Sequence, residues 1–354
     1  MTLTEPTRTK APGAVAPLVR EAWYVIGARS EFDRTLKQRT VLGEPLCYYE
    51  ASDGSLIVLD DRCAHRRFPL SKSRLDGDVI QCGYHGFRYG KDGGCVGVPG
   101  GANPSAIRVR SYPALHRGPW VWIWTGSDPS SADPALIPWP GDQLAGRDEY
   151  ITGYTWNPAN YGLIHENLLD LTHLQYLHDV VDDVFTAAEP VMFSTDELPR
   201  GFADKAVGYY KNIDTVLGVH APNVGADPAL PIIKRAAYLS VTPALMYGFE
   251  HIDPHDPDAT DLRSLAVLHC ITPESESSTH QFWAYWQDVP LVIDPDTLTS
   301  FIKVVFEQDV EALEWQQEYV SRDHRPGVVE ASVSADAPTL RIRRLLHRLA
   351  AEQS

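Results

Sequence analysis

Cys63-Ala64-His65 and, 16 residues further on, Cys82-Gly83-Tyr84-His85 decide how this chain reads. Each arm offers one thiolate and one imidazole. Thiolates suit the soft iron of iron–sulfur clusters, and two imidazoles in place of two thiolates on one iron give a [2Fe–2S] centre of raised potential. Zinc also accepts two Cys and two His, but zinc sites pair like with like, Cys-x2–4-Cys with His-x3–5-His. The mixed arms favour the cluster, with Cys63, His65, Cys82 and His85 as its ligands. Gly83 and Gly86 let the second arm wrap closely round such a group.

Outward from the arms, residues 20–125 read as short strands between Gly, Asp and Pro turns. Leu56–Leu59 follows the Asp53-Gly54 turn, and Pro119–Trp124 alternates Trp120, Trp122 and Trp124. Residues 126–146 are rich in Pro, Ser and Asp, as a linker is. Beyond them, Asn160–Val181 reads as one helix, residues about 190–290 as long strands, and Leu298–Arg322 as an amphipathic helix. A last helix spans Thr339–Ala351, with Pro338 at its start. The predicted fold class is α+β: a disordered leader over 1–18, an all-β cluster domain over 19–125, a linker over 126–150, and an α+β domain over 151–354.

The 354 residues suffice for two domains with sizeable cores, and 44% hydrophobic with 22% charged is an ordinary globular balance. No run approaches ~18 apolar residues, so no membrane span is expected. The first residues, MTLTEPTRTKAPGAVAPLV, have no apolar signal region, which predicts a cytoplasmic location. Five cysteines, an odd and low count, argue against a disulfide framework. The net charge of −16 is uneven: residues 1–150 carry 18 Lys+Arg against 17 Asp+Glu, and the remainder 13 against 30. Such acidity argues against a nucleic-acid partner. No G-x-G-x-x-G or flavin fingerprint occurs, so electrons for the cluster must come from another protein.

The second half holds Asn167, Asp170, His173 and His178. Two histidines plus one carboxylate, with open positions, make the facial triad of non-haem Fe(II) sites. Asn167, Asp170 and His173 recur every three residues along one side of a helix. His178 lies five residues past His173, about 140° round an ideal helix, so both reach one ion only if the helix ends or distorts between them. Asp170, one turn before His173, could orient that ring through its free nitrogen. The third ligand must come from elsewhere. The acidic helix around Phe306–Glu314 offers Glu307, Asp309 and Glu311.

Several phrases carry a family resemblance: Ala22-Trp23-Tyr24-Val25, the cluster arms through Gly94, Val98-Pro99-Gly100, and HCITPESESSTHQFW over 269–283. From about Trp23 to Gln317 the chain resembles the oxygenase (alpha) subunits of Rieske non-haem iron aromatic-ring oxygenases, vanillate O-demethylase oxygenase components in particular. The resemblance implies an all-β Rieske domain followed by a helix-grip catalytic domain with a curved antiparallel sheet. It implies a mononuclear Fe(2+) on His173, His178 and Asp309, with Glu307 and Glu311 as alternatives to Asp309, and O2 as co-substrate. Asp170 would bridge a Rieske His of one subunit and an iron-ligand His of its neighbour, in a homotrimer. The implied donor is an NAD(P)H-dependent reductase carrying flavin and iron–sulfur, or a reductase plus a ferredoxin. The crowded Arg62, Arg66, Arg67, Lys72 and Arg74 could receive such a partner or simply be solvated.

The implied pocket is apolar and takes a small aromatic substrate. His251, His269, His280, Trp283, Tyr285 and Trp286 could line it. Along a strand Phe282, Ala284 and Trp286 face one way and Gln281, Trp283 and Tyr285 the other, so only one set can face the pocket. The expected reaction is monooxygenation rather than dioxygenation: O-demethylation of a methoxybenzoate-type compound to a phenol and formaldehyde. Ring or side-chain hydroxylation and N-demethylation are the alternatives within the class. An electron carrier without catalysis is the alternative outside it.

Overall fold

The computed structural model describes residues 15–101, 105–140, 151–178, 190–199, 201–215, 227, 232–241, 243–253, 263–287, 293–323 and 330–353. Two compact units emerge: Arg20–Gln143 with Thr272–Ser275, and Met1–Val19 with Leu144–Ile271 and Glu276–Ser354.

The first unit is built from ten strands: β1 (Trp23–Ala28), β2 (Lys37–Val41), β3 (Glu44–Glu50), β4 (Leu56–Asp60), β5 (Arg74–Asp76), β6 (Val79–Gln81), β7 (Arg88–Tyr89), β8 (Cys95–Gly97), β9 (Ala114–Arg117) and β10 (Trp120–Trp124). They form three small sheets, ordered β1-β10-β9, β2-β3-β4 and β5-β6-β7-β8. Short strands with bulky residues suit small sheets that pack against one another. Trp120 and Trp122 are fully buried. One arm of the cluster motif lies between β4 and β5, the other between β6 and β7. Beneath them Tyr49, Leu59, Leu70, Ile80 and Tyr89 form a core with Cys63 and Cys82.

The second unit contains β11 (Ile151–Asn157), α1 (Tyr161–Leu169), α2 (Leu174–Leu177), β12 (Val191–Met192), β13 (Ala206–Thr215), β14 (Ile232–Val241), β15 (Leu245–Asp253), β16 (Arg263–Pro273), β17 (Thr279–Gln287), α3 (Pro295–Arg322) and α4 (Ala337–Ala351). The strands make one seven-stranded antiparallel sheet, ordered β11-β17-β16-β15-β14-β13-β12. Cross-strand partners share a face, so Ser240, Met246 and His269, opposite one another in register, point the same way. On this face α1 docks through His165, whose Nδ1 lies 2.9 Å from Ser240 Oγ. Tyr209 Oη donates to the Leu169 carbonyl at 2.9 Å. Helix α3 docks through Leu298 and Ile302 against Leu265, Trp283 and Tyr285. Arg343 of α4 grips Glu166 of α1 with two nitrogens, at 2.6 and 2.5 Å. That bidentate pair ties the last helix to the segment that carries Asn167.

Three expectations change. The single helix over Asn160–Val181 is broken at Asp170. The Asp170 backbone leaves the helix (φ −104°, ψ 94°), and its carboxylate caps a new 3-10 turn over Leu171–His173 by accepting from Thr172 N–H. A short polar side chain that bonds its own backbone competes with helix in this way. Residues 179–181 lie outside the described residues. Of the expected leader over 1–18, residues 1–14 lie outside the described residues, and Ala16 is buried. Its N–H donates to Asn160 Oδ1 and its carbonyl accepts from Asn160 Nδ2, each at 3.0 Å. Helix α3 starts at Pro295, three residues early, because Asp294 accepts from Thr297 N–H as its N-cap. All five cysteines are buried and free. Among the described residues no helix is long and apolar enough to cross a membrane.

Candidate metal centres

The two cluster arms have the same backbone. Cys63 N–H donates to the carbonyl five residues on, at Phe68, and Arg67 N–H returns to the Cys63 carbonyl. Cys82 N–H donates to Phe87 and Gly86 N–H returns to Cys82, the same offsets. The matching fourth position is left-handed in both, Arg67 at φ 58° and Gly86 at φ 73°. A non-glycine residue there costs about 1–2 kcal/mol, which a closely wrapped loop must overcome. The paired loops bury both sulfurs while His65 and His85 are exposed. Their rings meet edge to face, with centroids 4.7 Å apart, and His65 stacks on Phe87. Tyr89 Oη lies 3.1 Å from Cys63 Sγ and accepts from Ala64 N–H at 3.1 Å. Two buried sulfurs and two outward imidazoles are the donor set a [2Fe–2S] Rieske cluster needs, so these residues fit it.

At the second centre, His173, His178 and Asp309 offer ligand atoms that all lie within 4.8 Å of one another. The Nε2 atoms of His173 and His178 are 3.4 and 3.5 Å from Asp309 Oδ1. Facial ligands on a metal with bonds of about 2.1 Å stand about 3 Å apart, so a small contraction closes this set on one ion. The other ring nitrogens are held. His173 Nδ1 is 2.5 Å from the Asp170 carbonyl, and His178 Nδ1 is 3.0 Å from Gln308 Oε1. Both acceptors demand Nδ1–H, which leaves each Nε2 lone pair facing Asp309. Asn167 Nδ2 donates to Asp309 Oδ1 at 3.0 Å and fixes the carboxylate. Burial alone would raise the Asp309 pKa; in the absence of a metal, a proton taken up at Nε2 by His173 or His178 would outweigh it and hold the carboxylate below its usual range. Two imidazoles and one carboxylate, each oriented from behind, fit a non-haem Fe(II).

The helix break allows this convergence. With α1 ended at Leu169 and α2 at Leu177, His173 and His178 are not bound to one helical phase. Asp309 is turned inward on α3, whereas Glu307 and Glu311 are exposed. Asp170 differs from expectation: its carbonyl, not its carboxylate, holds His173. Both bonds from Thr172 fall on Oδ1. Gln308 and Tyr89 carry roles that the sequence did not single out. No spacing rule marks a glutamine beside a ligand, although Asp170-Leu-Thr172 could have been read as a capping turn.

The pocket candidates divide. Trp283 and Tyr285 face α3, so Trp286, one residue out of phase, is on the opposite face with Phe282 and Ala284. Trp286 therefore leaves the pocket set. His280 also leaves it: its Nδ1 is 2.8 Å from Tyr154 Oη, on the face away from α3. His269 stays on the α3 side, its ring 5.3 Å from that of Phe306. His251 pairs with Ser264 in the sheet, and its side chain lies outside the described residues.

Residues 22–113 match the family described as Rieske [2Fe-2S] domain, and residues 158–198 and 227–352 the vanillate O-demethylase oxygenase C-terminal domain. The chain is 31% identical over 349 residues to the oxygenase component of dicamba O-demethylase from Stenotrophomonas maltophilia, covering 94% of this chain and 97% of that one. It is 31% identical over 352 residues to a putative toluene-4-sulfonate monooxygenase system iron-sulfur subunit from Comamonas testosteroni, covering 94% and 97%. Its fold is similar to that of crystalline dicamba monooxygenase bound to 3,6-dichlorosalicylic acid, with a TM-score of 0.83, 28% identity, and coverage of 95% and 99%.

Proposed function

This chain belongs to the Rieske non-haem iron oxygenases with a vanillate O-demethylase-type C-terminal domain, and from that premise we propose that it O-demethylates a methoxybenzoate-type aromatic. The convergence of His173, His178 and Asp309, with both distal ring nitrogens and the carboxylate held from behind, carries the oxygenase part of this reading; the vanillate O-demethylase-type C-terminal domain and the dicamba O-demethylase relative support demethylation. When bound, the mononuclear iron activates O2 with electrons supplied through the cluster. The balance is one methoxyarene, one O2, two electrons and two protons to one phenol, one formaldehyde and one water. The oxidised methyl carbon becomes a hemiacetal, whose C–O bond breaks to release formaldehyde.

The chain's own residues prepare the site. Cys63, His65, Cys82 and His85 would hold the cluster, with the two exposed imidazoles on the side where an electron could leave. Asn167 and Gln308 keep Asp309 and His178 aimed at one point. Asp170 serves as the bridge to a neighbouring subunit's cluster in a homotrimer; its Oδ2 has no partner among the described residues, which suits that role. The electron donor is a separate NAD(P)H-dependent flavin and iron–sulfur reductase, alone or with a ferredoxin. Hydroxylation without C–O cleavage is the second reading, favoured by the toluene-4-sulfonate monooxygenase relative.

The test is turnover of 2-, 3- and 4-methoxybenzoate with a surrogate reductase. Formaldehyde matching the phenol formed supports demethylation. A hydroxylated product with its methoxy group intact refutes it and favours the second reading.

A further inference from the structure

Helix α1 has nine residues, Tyr161–Leu169, too few to be stable by itself. Its placement rests on what grips it, and three consecutive side chains each grip a different neighbour. His165 faces the sheet, with Nε2 3.0 Å from the Pro243 carbonyl and Nδ1 2.9 Å from Ser240 Oγ. Glu166 faces α4, where Arg343 donates to Oε1 from Nε at 2.6 Å and to Oε2 from Nη2 at 2.5 Å. Asn167 faces α3 and donates from Nδ2 to Asp309 Oδ1 at 3.0 Å. Successive helical residues lie about 100° apart around the axis, so these three contacts together fix the rotation of α1.

Rotation matters at Asn167. A side-chain atom about 5–6 Å from the helix axis moves about 1 Å when the helix turns by about 10°. A 3.0 Å hydrogen bond stretched by that much is lost. The pair that resists the turn on the α4 side is mostly buried, with the Arg343 side chain 9% exposed and that of Glu166 15%. The remaining guanidinium nitrogen, Nη1, donates to Glu330 Oε2 at 2.6 Å, on a half-exposed carboxylate. The neighbouring buried positions of α4 are Ile342, Leu345, Leu346 and Leu349, so apolar side chains already fill this interface. A buried ion pair often stabilises a fold no more than apolar residues of the same volume would. What it adds is direction, because the planar fork and the carboxylate engage both oxygens in one orientation.

We propose that Arg343 is a positioning residue for the mononuclear iron site: through Glu166 it sets the rotation of α1 and so aims Asn167 at Asp309. The last helix thereby tunes an iron ligand by way of two intervening side chains. This rests on the mononuclear-iron part of the proposed function, and not on demethylation.

The test is competition of the holoenzyme against a chelator of Fe(II), with the visible spectrum of the cluster and the melting temperature recorded for each protein. Loss of a partner directly behind a ligand weakens metal binding about 10–100-fold, so Asn167→Ala should weaken it about tenfold or more. Arg343→Lys keeps the charge but not the fork and acts one step further back, and should weaken it about three- to tenfold. Glu166→Leu/Arg343→Met replaces the pair with apolar side chains; it should melt close to wild type and bind Fe(II) about as weakly as Arg343→Lys. Arg343→Lys added to Asn167→Ala should cost no more than about twofold further, because Arg343 acts through Asn167. Wild-type affinity in Arg343→Lys or in the apolar pair, or full additivity with Asn167→Ala, overturns the proposal. So does weakened binding found only in proteins that also melt earlier, which is the mark of a purely structural pair. Wild type that yields no Fe(II) beyond the cluster overturns the iron site and this proposal together, whereas wild type that yields it with the variants unchanged overturns this proposal alone. Failure of formaldehyde release would refute demethylation and leave the result standing.

Discussion

Gln308 is the side chain whose removal most sharply isolates how the iron site is held. His178 is fully buried, and Gln308 Oε1 takes its Nδ1–H at 3.0 Å. Gln308→Leu keeps the bulk and removes the acceptor. The ring then loses both its tautomer lock and its orientation, while His173, held by the Asp170 carbonyl, keeps both. Removing one partner behind a metal-ligating histidine weakens metal binding about 10–100-fold, or about 1.4–2.7 kcal/mol. Only one of two histidines is affected, so the lower half of that range applies. The assay is Fe(II) titration of protein stripped at the mononuclear site, with the visible spectrum of the cluster as internal control. Gln308→Glu, a stronger acceptor, should bind Fe(II) at least as tightly as wild type. Equal affinity in Gln308→Leu and wild type, or loss of the cluster spectrum together with the iron, would rule out this role for Gln308.

Tyr89→Phe should lower the reduction potential of the cluster, because its hydroxyl beside Cys63 Sγ stabilises the electron-rich reduced state; a redox titration that finds the potential unchanged or raised counts against that contact. Arg66, Arg67 and Lys72 are exposed beside the cluster with no ion pair among the described residues, whereas Arg62 pairs with Glu44 and Arg74 bonds Gln81. Reversing the first three charges should slow reduction by the donor protein and flatten its salt dependence, and stopped-flow rates that stay unchanged would remove this surface as the docking face. His165 is buried, which lowers its pKa to about 4 against 6.5 when free. The unfolded chain therefore takes up a proton first as pH falls, and the folded state loses up to about 1.4 kcal/mol per pH unit between 6.5 and 4 from this group. Urea unfolding at pH 7 and pH 5 should show that loss, and His165→Gln should reduce it.

Much of this was legible because the residues involved have few alternative uses. Mixed Cys/His arms specify their cluster through ligand chemistry alone, and the acid-rich helix carried its inward residue at a position set by helical phase. What stayed hidden depended on tertiary contacts. Whether Trp283 or Trp286 faces α3 is a one-residue choice of register, which alternation states but cannot resolve, since both faces of β17 are buried. The capping turn at Asp170 looked like continuing helix because the flanking residues keep a helical spacing of side chains. Ala16 is tied to the second unit by Asn160, 144 residues away. The role of Gln308 follows from the approach of α3 to His178, which no local pattern records.

On the proposed reading, one chain carries both a cluster and a mononuclear iron held through Asp309. The most direct measurement is iron per chain, with the cluster spectrum recorded on the same samples, in wild type and Asp309→Ala. Wild type should hold about three irons and the variant about two, with the spectrum unchanged. About two irons in both proteins, or about three in both, would contradict it.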